Sequence, residues 1–493
     1  MRPDDDELNF QDLHAIVFPA EVRSGENISA KFKPNGSDER YYTPVTVWRM
    51  SPLGLEFLHT SYAGILNKGE RIDLELTIGG QRSIYEGLVV DVLDTNKPES
   101  RIGIRLNKRE DKPTWDVDRR KGPRWICHDQ FIPSCVCTNP AKYNDFLYFR
   151  VRDISHRGLR LVSSLRNKFL VPGMDLDLQI SFPSVGNVAI TVTISRVDLV
   201  TENGKDYFSL GVEFGDLPRT TRRVVGQYLL QFGNADSLKE LRNNDFIPKS
   251  ISTAVDYSFV KNVDEYIDIC RLRFLSNKVA GKVDPNSDPL KMSDILDSRS
   301  RIIAGKYKGK LVTTSRLIFN EYDDLMEQEM YVKWPEDLPR RDQIVEVSRA
   351  CTHPEFRGGD LLFSLFQFMV VISLQAKRDW IVISTAPDMV TFYEKIGFRK
   401  TGMQYENPIY PGITQVVMLA NVPDAMRGRT VSPIYWNVIW KDVTEFLVEN
   451  DVLSATSLTR IRLFVYRLMY PFAVLLRRRS KKPRPKPNRK IDK

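Results

Sequence analysis

Residues 119–125, RRKGPRW, set Arg120 and Arg124 four apart around a Gly-Pro pair, and thirty-three residues beyond Arg120 comes Asp153-x-Ser155-x-x-Gly158. Gly122 and Pro123 make the arginine pair a loop rather than a helix. Guanidinium forks bond phosphate or base acceptors and stack on flat rings, so two of them suit a ligand that carries phosphates and aromatic bases. The Asp153 carboxylate can accept from base N–H groups, and Ser155 can bond a phosphate or a base edge. Gly158 lets the strand turn where a Cβ would obstruct. Either motif alone is ordinary in solvated loops and turns; the two in this order mark a ligand site.

A second cluster, EVSRACTHPEFRGG at 346–359, places Glu346, Arg349, Cys351 and His353 close together. Glu346 with Arg349 is either working chemistry or a structural ion pair at a strand end. Cys351 as a covalent nucleophile needs a base and an orienting third group, and His353 stands before a proline in a loop, where it caps or packs. Cys127, His128, Cys135 and Cys137 lack the Cys-x2-4-Cys pairing of zinc sites, and neighbours on a strand face opposite ways, so no metal is expected.

The elements that must hold these groups come as a repeat followed by a different pattern. VRDISHRGLRLV (151–162) has a near-copy in WRMSPLGLEFL (48–58), with Arg49 where the later copy has Asp153; the first copy lacks an upstream Arg-x-x-x-Arg. IGIRL (102–106) and LGVEF (210–214) each close a β-rich stretch. Between these landmarks RIDLELTI, SIYEGLVVDVL, LDLQISF and VAITVTISRVDLV alternate apolar and polar residues, the pattern of small antiparallel barrels or sandwiches. Two all-β domains are expected at 1–115 and 116–233, then a linker at 234–252. From 253 to 430 strands alternate with helical stretches, including a long helix after Asp360, a buried strand at 379–386 and a short helix at 389–398. This is an α/β or α+β domain. Residues 431–493 make C-terminal helices and a tail.

At 493 residues the chain is long enough for about three domains. Its net charge is +9, yet residues 477–493 hold ten Lys/Arg against one Asp, so the rest is nearly neutral. That excludes a nucleic-acid-binding body, which needs cations spread over a face. The acidic start is no secretory signal, the longest uncharged run (361–376) is too short to span a bilayer, and five cysteines without a signal suit a cytoplasmic setting. LTRIRLFVYRLMYPFAVLL (458–476) followed by the polybasic run is a basic amphipathic tail. It suits peripheral contact with the inner face of an anionic membrane, docking of an acidic carrier protein, or a solubilising terminus.

On Arg120, Arg124, Asp153, Ser155 and Gly158, the second β domain resembles a PilZ domain, the bacterial receptor for cyclic di-GMP, and the first is similar to the degenerate barrel of flagellar-brake-type receptors. On EVSRACTHPEFRGG and TFYEKIGFRKTG (391–402), residues 253–430 resemble the Gcn5-related N-acyltransferase (GNAT) fold. There Arg357, Gly358 and Gly359 match the turn whose backbone N–H groups bind donor phosphates at a helix N-terminus. The usual acetyl-CoA signature requires glycine at 360, where this chain has Asp360. Glu346-x-Ser348-Arg349 after TTSRL (313–317) is similar to autoinducer synthases and, in layout, to long-chain N-acyl amino acid synthases. The resemblance implies an acyl carrier protein or CoA thioester as donor and an amino-acid-like amine as acceptor. It also implies cyclic di-GMP as allosteric ligand. Glu346 is then the base, Arg349 and Tyr393 complete the catalytic set, with Tyr393 as acid, backbone N–H groups near Ala350 and Cys351 polarise the carbonyl, and Arg316 with Arg349 holds the acceptor. Two other readings stand beside it: a non-catalytic cyclic di-GMP effector, and an autoinducer-type synthase using S-adenosylmethionine.

Overall fold

In the computed structural model the described residues are 20–34, 42–60, 66–93, 99–108, 122–248, 250–406, 412–450, 460–461 and 464–468. Arg120 and the polybasic run at 477–493 lie outside them. The chain divides into two compact units, Met1–Lys249 and Ser250–Lys493.

The first unit holds β1 (Ala20–Glu21), β2 (Ile28–Pro34), β3 (Thr43–Ser51), β4 (Gly54–Thr60), β5 (Arg71–Ile78), β6 (Gln81–Leu93) and β7 (Glu99–Lys108). Then follow β8 (Arg124–Ile126), β9 (Ser134–Thr138), β10 (Phe146–Ser155), β11 (Gly158–Ser164), β12 (Asp175–Phe182), β13 (Gly186–Glu202) and β14 (Lys205–Glu213). The first seven pair in the order β1-β3-β2-β5-β6-β7-β4 and close through β3–β4. The second seven pair as β11-β14-β13-β12-β9-β10-β8 and close through β11–β10. Mapped strand on strand, the two connectivities are identical: a closed barrel with one short strand added outside. Closure removes the exposed strand edges that would otherwise invite aggregation. Alternation does the rest, as on β12, where every second residue is buried.

Helix α1 (Arg219–Gln231) follows the second barrel, and its Tyr228 donates to the Phe131 carbonyl at 2.9 Å. Of residues 234–252, expected as a linker, 250–252 fall in the second unit, and residues 234–248 are organised within the first. They contain α2 (Leu238–Asn243), capped by Ser237, with Leu238 and Leu241 buried. Glu240 accepts from the Trp125 indole at 3.0 Å, and Asn234 accepts from the Ile126 N–H at 2.8 Å. Two buried leucines and two polar clasps make residues 234–248 part of the first unit.

The second unit is one sheet with helices on both faces. Its strands are β15 (Val255–Phe259), β16 (Arg301–Tyr307), β17 (Lys310–Phe319), β18 (Ile344–Thr352), β19 (Trp380–Thr385), β20 (Arg399–Glu406) and β21 (Thr414–Asn421), ordered β15-β16-β17-β18-β19-β21-β20. Among the described strands of this sheet only β18 and β19 pair in parallel. Helix α3 (Val263–Val279) starts at the Asn262 cap and packs on one face; α4 (Leu361–Gln375) and α5 (Pro387–Lys395) cover the other. Val431 and residues between 436 and 447 join this core. Trp436 and Trp440 are buried, each donating its indole N–H to a backbone carbonyl, of Met426 and Ile396 respectively. Val443 and Leu447 of α6 (Lys441–Glu449) join the same cluster. Among the described residues no helix is long and apolar enough to cross a membrane.

Candidate functional site

In the second barrel the β10–β11 hairpin and β8 bring the motif residues together. Asp153 lies opposite Ile126 on β8 and Arg160 on β11, and Ser155 lies opposite Arg124. The buried Asp153 carboxylate holds the Arg160 Nε at 2.7 Å and the Arg124 guanidinium at 3.6 Å. It is therefore engaged by the protein's own arginines. Ser155 shapes the turn: its hydroxyl donates to the Gly158 carbonyl and accepts the Gly158 N–H, both at 3.1 Å. Gly158 is required by its neighbour, because a Cβ there would stand 2.2 Å from the Val212 carbonyl oxygen on β14. Past the turn, His156, Arg157, Asp216, Arg222 and Asn244 help line a cavity of about 370 Å³. In the first barrel the equivalent hairpin keeps the Ser51 turn, and Arg49 is paired with Glu56 at 3.9 Å.

In the second unit β18 and β19 pair only from Ile344/Trp380 to Val347/Ile383 and then part. Just past that point β18 bulges against β17, and Arg349 takes a left-handed φ of 54°. The fork opens on an apolar pocket of about 30 Å³ lined by Val347, Ala350, Phe363, Ile383, Phe392 and Tyr393. Burial raises the Tyr393 phenol above its ordinary range and so keeps it protonated. On the opposite face stands a buried charge cluster. Arg316, wholly buried, reaches Glu327 at 2.7 Å and Asp294 and Asp297 at 3.2 Å. Arg273 forks onto Asp297 at 2.7 and 3.1 Å, and Arg349 pairs with Asp294 and Glu327. Three guanidiniums thus match three carboxylates. Glu346 is the fourth acid there, accepting from the Glu327 N–H at 2.7 Å and Asn320 at 3.1 Å. Burial first, and the Glu327 charge second, push its carboxyl up to about 7.

Two family models match the chain: the PilZ domain over residues 118–231 and the N-acyl amino acid synthase FeeM over residues 268–421. The chain carries a domain of each family. Solved structures with similar segments include FeeM, an N-acyl amino acid synthase from uncultured soil microbes, at 16% identity over 36% of this chain and 94% of its own, with a TM-score of 0.29. The K. pneumonia MrkH–c-di-GMP complex aligns at 17% identity over 45% of this chain and 93% of its own, TM-score 0.21. Escherichia coli ElaA aligns at 16% identity over 34% and 99%, TM-score 0.25. No curated protein matches the chain.

In the second unit the expected site residues are held as follows. Arg316 and Arg349, expected to grip the acceptor's carboxylate, are held by Asp294, Asp297 and Glu327, since a buried guanidinium without its carboxylates would be costly. Glu346 and Arg349 are not each other's ion pair: Arg349 reaches Asp294 and Glu327 instead. At the expected donor turn, Gly358 adopts φ 78°, and Arg357 donates to the carbonyl and hydroxyl of Ser276 at 3.0 Å. Asp360, where the acetyl-CoA signature has glycine, accepts from Ser250 and Ser252 hydroxyls at 2.7 Å and from the Ile251 and Ser252 N–H groups at 2.7 and 3.2 Å. It ties the segment before β15 to the head of α4. Burial pushes the Cys351 thiol up to about 11, the opposite of nucleophile activation, and His353 accepts the Glu355 N–H at 3.3 Å as a turn cap.

Sequence reasoning missed Arg273, Asp294, Asp297 and Glu327, whose partners lie 11 to 55 residues away. Asp294 and Asp297, three apart in SDILDSR, are the only local trace of the cluster. In the PilZ domain it missed Arg160, two residues past the motif glycine.

Proposed function

We propose that this protein is an N-acyltransferase under cyclic di-GMP control, moving a long acyl chain from a carrier-protein thioester to the amine of an amino acid or similar acceptor. The observation that carries the enzymatic half is the fork between β18 and β19, with an apolar, Tyr393-lined pocket on one face and the buried Glu346 carboxyl, which burial pushes up to about 7, on the other. In this reading the acyl thioester enters at the fork and its chain lies against Phe363 and Phe392. The amine approaches from the face of Glu346. Its nitrogen attacks the thioester carbon as Glu346, through water, takes the N–H proton. The C–S bond then breaks and Tyr393 protonates the leaving thiolate, giving an amide and a free thiol. A base with a pKa near neutrality matches the working pH, which is where such a group is most effective. The Asp360 carboxylate at the head of α4 disfavours the diphosphate of free coenzyme A, and this supports a carrier-protein donor.

The regulatory half rests on the family match over 118–231 and on the convergence of Arg124, Asp153, Ser155 and Gly158 at one hairpin. The test is mass spectrometry of N-acyl amino acids in expressing cells, wild type against Glu346→Gln and Tyr393→Phe. Wild type should accumulate them and both variants should fall by at least tenfold. Equal lipid profiles leave a non-catalytic effector, and a lactone product points to the autoinducer-type reaction. Calorimetric titration of cyclic di-GMP, with Arg124→Ala as control, tests the receptor; identical affinities remove the site.

A further inference from the structure

Cross-strand partners share a face of a sheet, so strand register aligns side chains into rows around each barrel. In the first barrel one row runs Glu21, Arg49, Glu56, Gly103, Asp91 from β1 through β3, β4 and β7 to β6. The equivalent row in the second barrel runs Ile126, Asp153, Arg160, Gly211, Arg196 from β8 through β10, β11 and β14 to β13. Wherever both rows carry a charge, its sign is reversed. The first has three acids around one arginine. The second, with Arg124 beside it, has three arginines around one acid. Both keep a glycine at the same place, and Gly211 leaves a gap one side chain wide between Arg160 and Arg196. A Cβ at 211 would meet the Ser195 hydroxyl at 3.3 Å.

Asp153 is 6% exposed, whereas the side chains of Arg160 and Arg124 are 40% and 55% exposed. The acid is therefore sunk between two guanidiniums whose outer edges face solvent. Arg196 holds Asp198 at 2.7 Å, so its charge is partly matched, whereas among the described residues Arg160 is ion-paired with Asp153, which is shared with Arg124. We propose that Arg160 is a third guanidinium of the nucleotide site, aimed by Asp153 across the hairpin to bind a ligand phosphate over the Gly211 gap. Asp153 is then a positioning residue for two arginines rather than a reader of the guanine edge. This rests on the cyclic di-GMP reading of the second barrel. A bidentate arginine–phosphate bond depends on the fork as well as the charge, so lysine is a poor substitute.

The experiment is calorimetric titration of cyclic di-GMP into the full chain. Arg160→Ala should weaken binding at least tenfold, and Arg160→Lys should recover only part of the loss. Because Arg160→Ala leaves a buried carboxylate with one partner, a second variant, Asp153→Arg with Arg160→Glu, transplants the first barrel's ion pair and preserves the packing. It should also lose binding by at least tenfold while melting within a few degrees of wild type. Wild-type affinity in both variants, with Arg124→Ala impaired, overturns the role of Arg160 and leaves the receptor reading intact. No binding by wild type overturns both.

Discussion

Glu346→Gln has a stability signature that separates a neutral buried acid from an ordinary salt-bridged one. The carboxyl is wholly buried and held up at about 7, against 4.5 for an ordinary glutamate in water. Between those two values the unfolded chain has released the proton and the folded chain retains it. Stability therefore falls as pH rises through this window, by about 1.4 kcal/mol per unit and about 3 kcal/mol in all, and the contribution is fully present only below about pH 4.5. The glutamine variant is isosteric, keeps an oxygen for the Glu327 N–H and cannot ionise, so it should escape the loss. Urea unfolding of the full chain at pH 5 and pH 8, with hydrogen exchange on peptides covering 344–352 to assign the transition, gives the comparison. The variant should lie within about 1 kcal/mol of wild type at pH 5 and exceed it by about 3 kcal/mol at pH 8. Parallel pH profiles for the two proteins would refute both the placement of Glu346 outside the balanced arginine–carboxylate cluster and its candidacy as a neutral-pH base.

Arg316→Met should cost about 3–5 kcal/mol, because it leaves the three buried carboxylates Asp294, Asp297 and Glu327 with only Arg273 and Arg349 to balance them; a loss under 1 kcal/mol in denaturant melts would mean the cluster is wetter than its burial indicates. Gly158→Ala should destabilise the barrel unit by about 3 kcal/mol, since the clash is with a backbone carbonyl that no rotamer change relieves, and calorimetry should show that transition lowered while the second unit melts as before.

Period-two alternation and the repeated Ser-x-x-Gly hairpin were enough to announce two like barrels, because strand patterning is a local consequence of which face meets the core. The Asp-x-Ser-x-x-Gly hairpin and the strand–turn–helix around residues 346–361 were legible for the same reason: their groups are near neighbours in sequence. What residues 234–248 and 431–449 do was not legible. Short helices with polar faces read as connectors until Trp125 and Trp440 are seen bonded to or packed against them or their neighbours.

The sequence by itself determined the order of the elements, the identity of the chemistry-bearing groups and the difference between Asp153 and Arg49. Only the tertiary structure decided what those groups are doing. Arg316 looked like a substrate clamp until three carboxylates from distant loops surrounded it, and Asp153 looked like a free acceptor until register set Arg160 opposite. Charge can be counted along a chain, but desolvation and pairing depend on which segments the fold brings within a few ångströms, and those distances determine whether an ionisable side chain binds, reacts or supports.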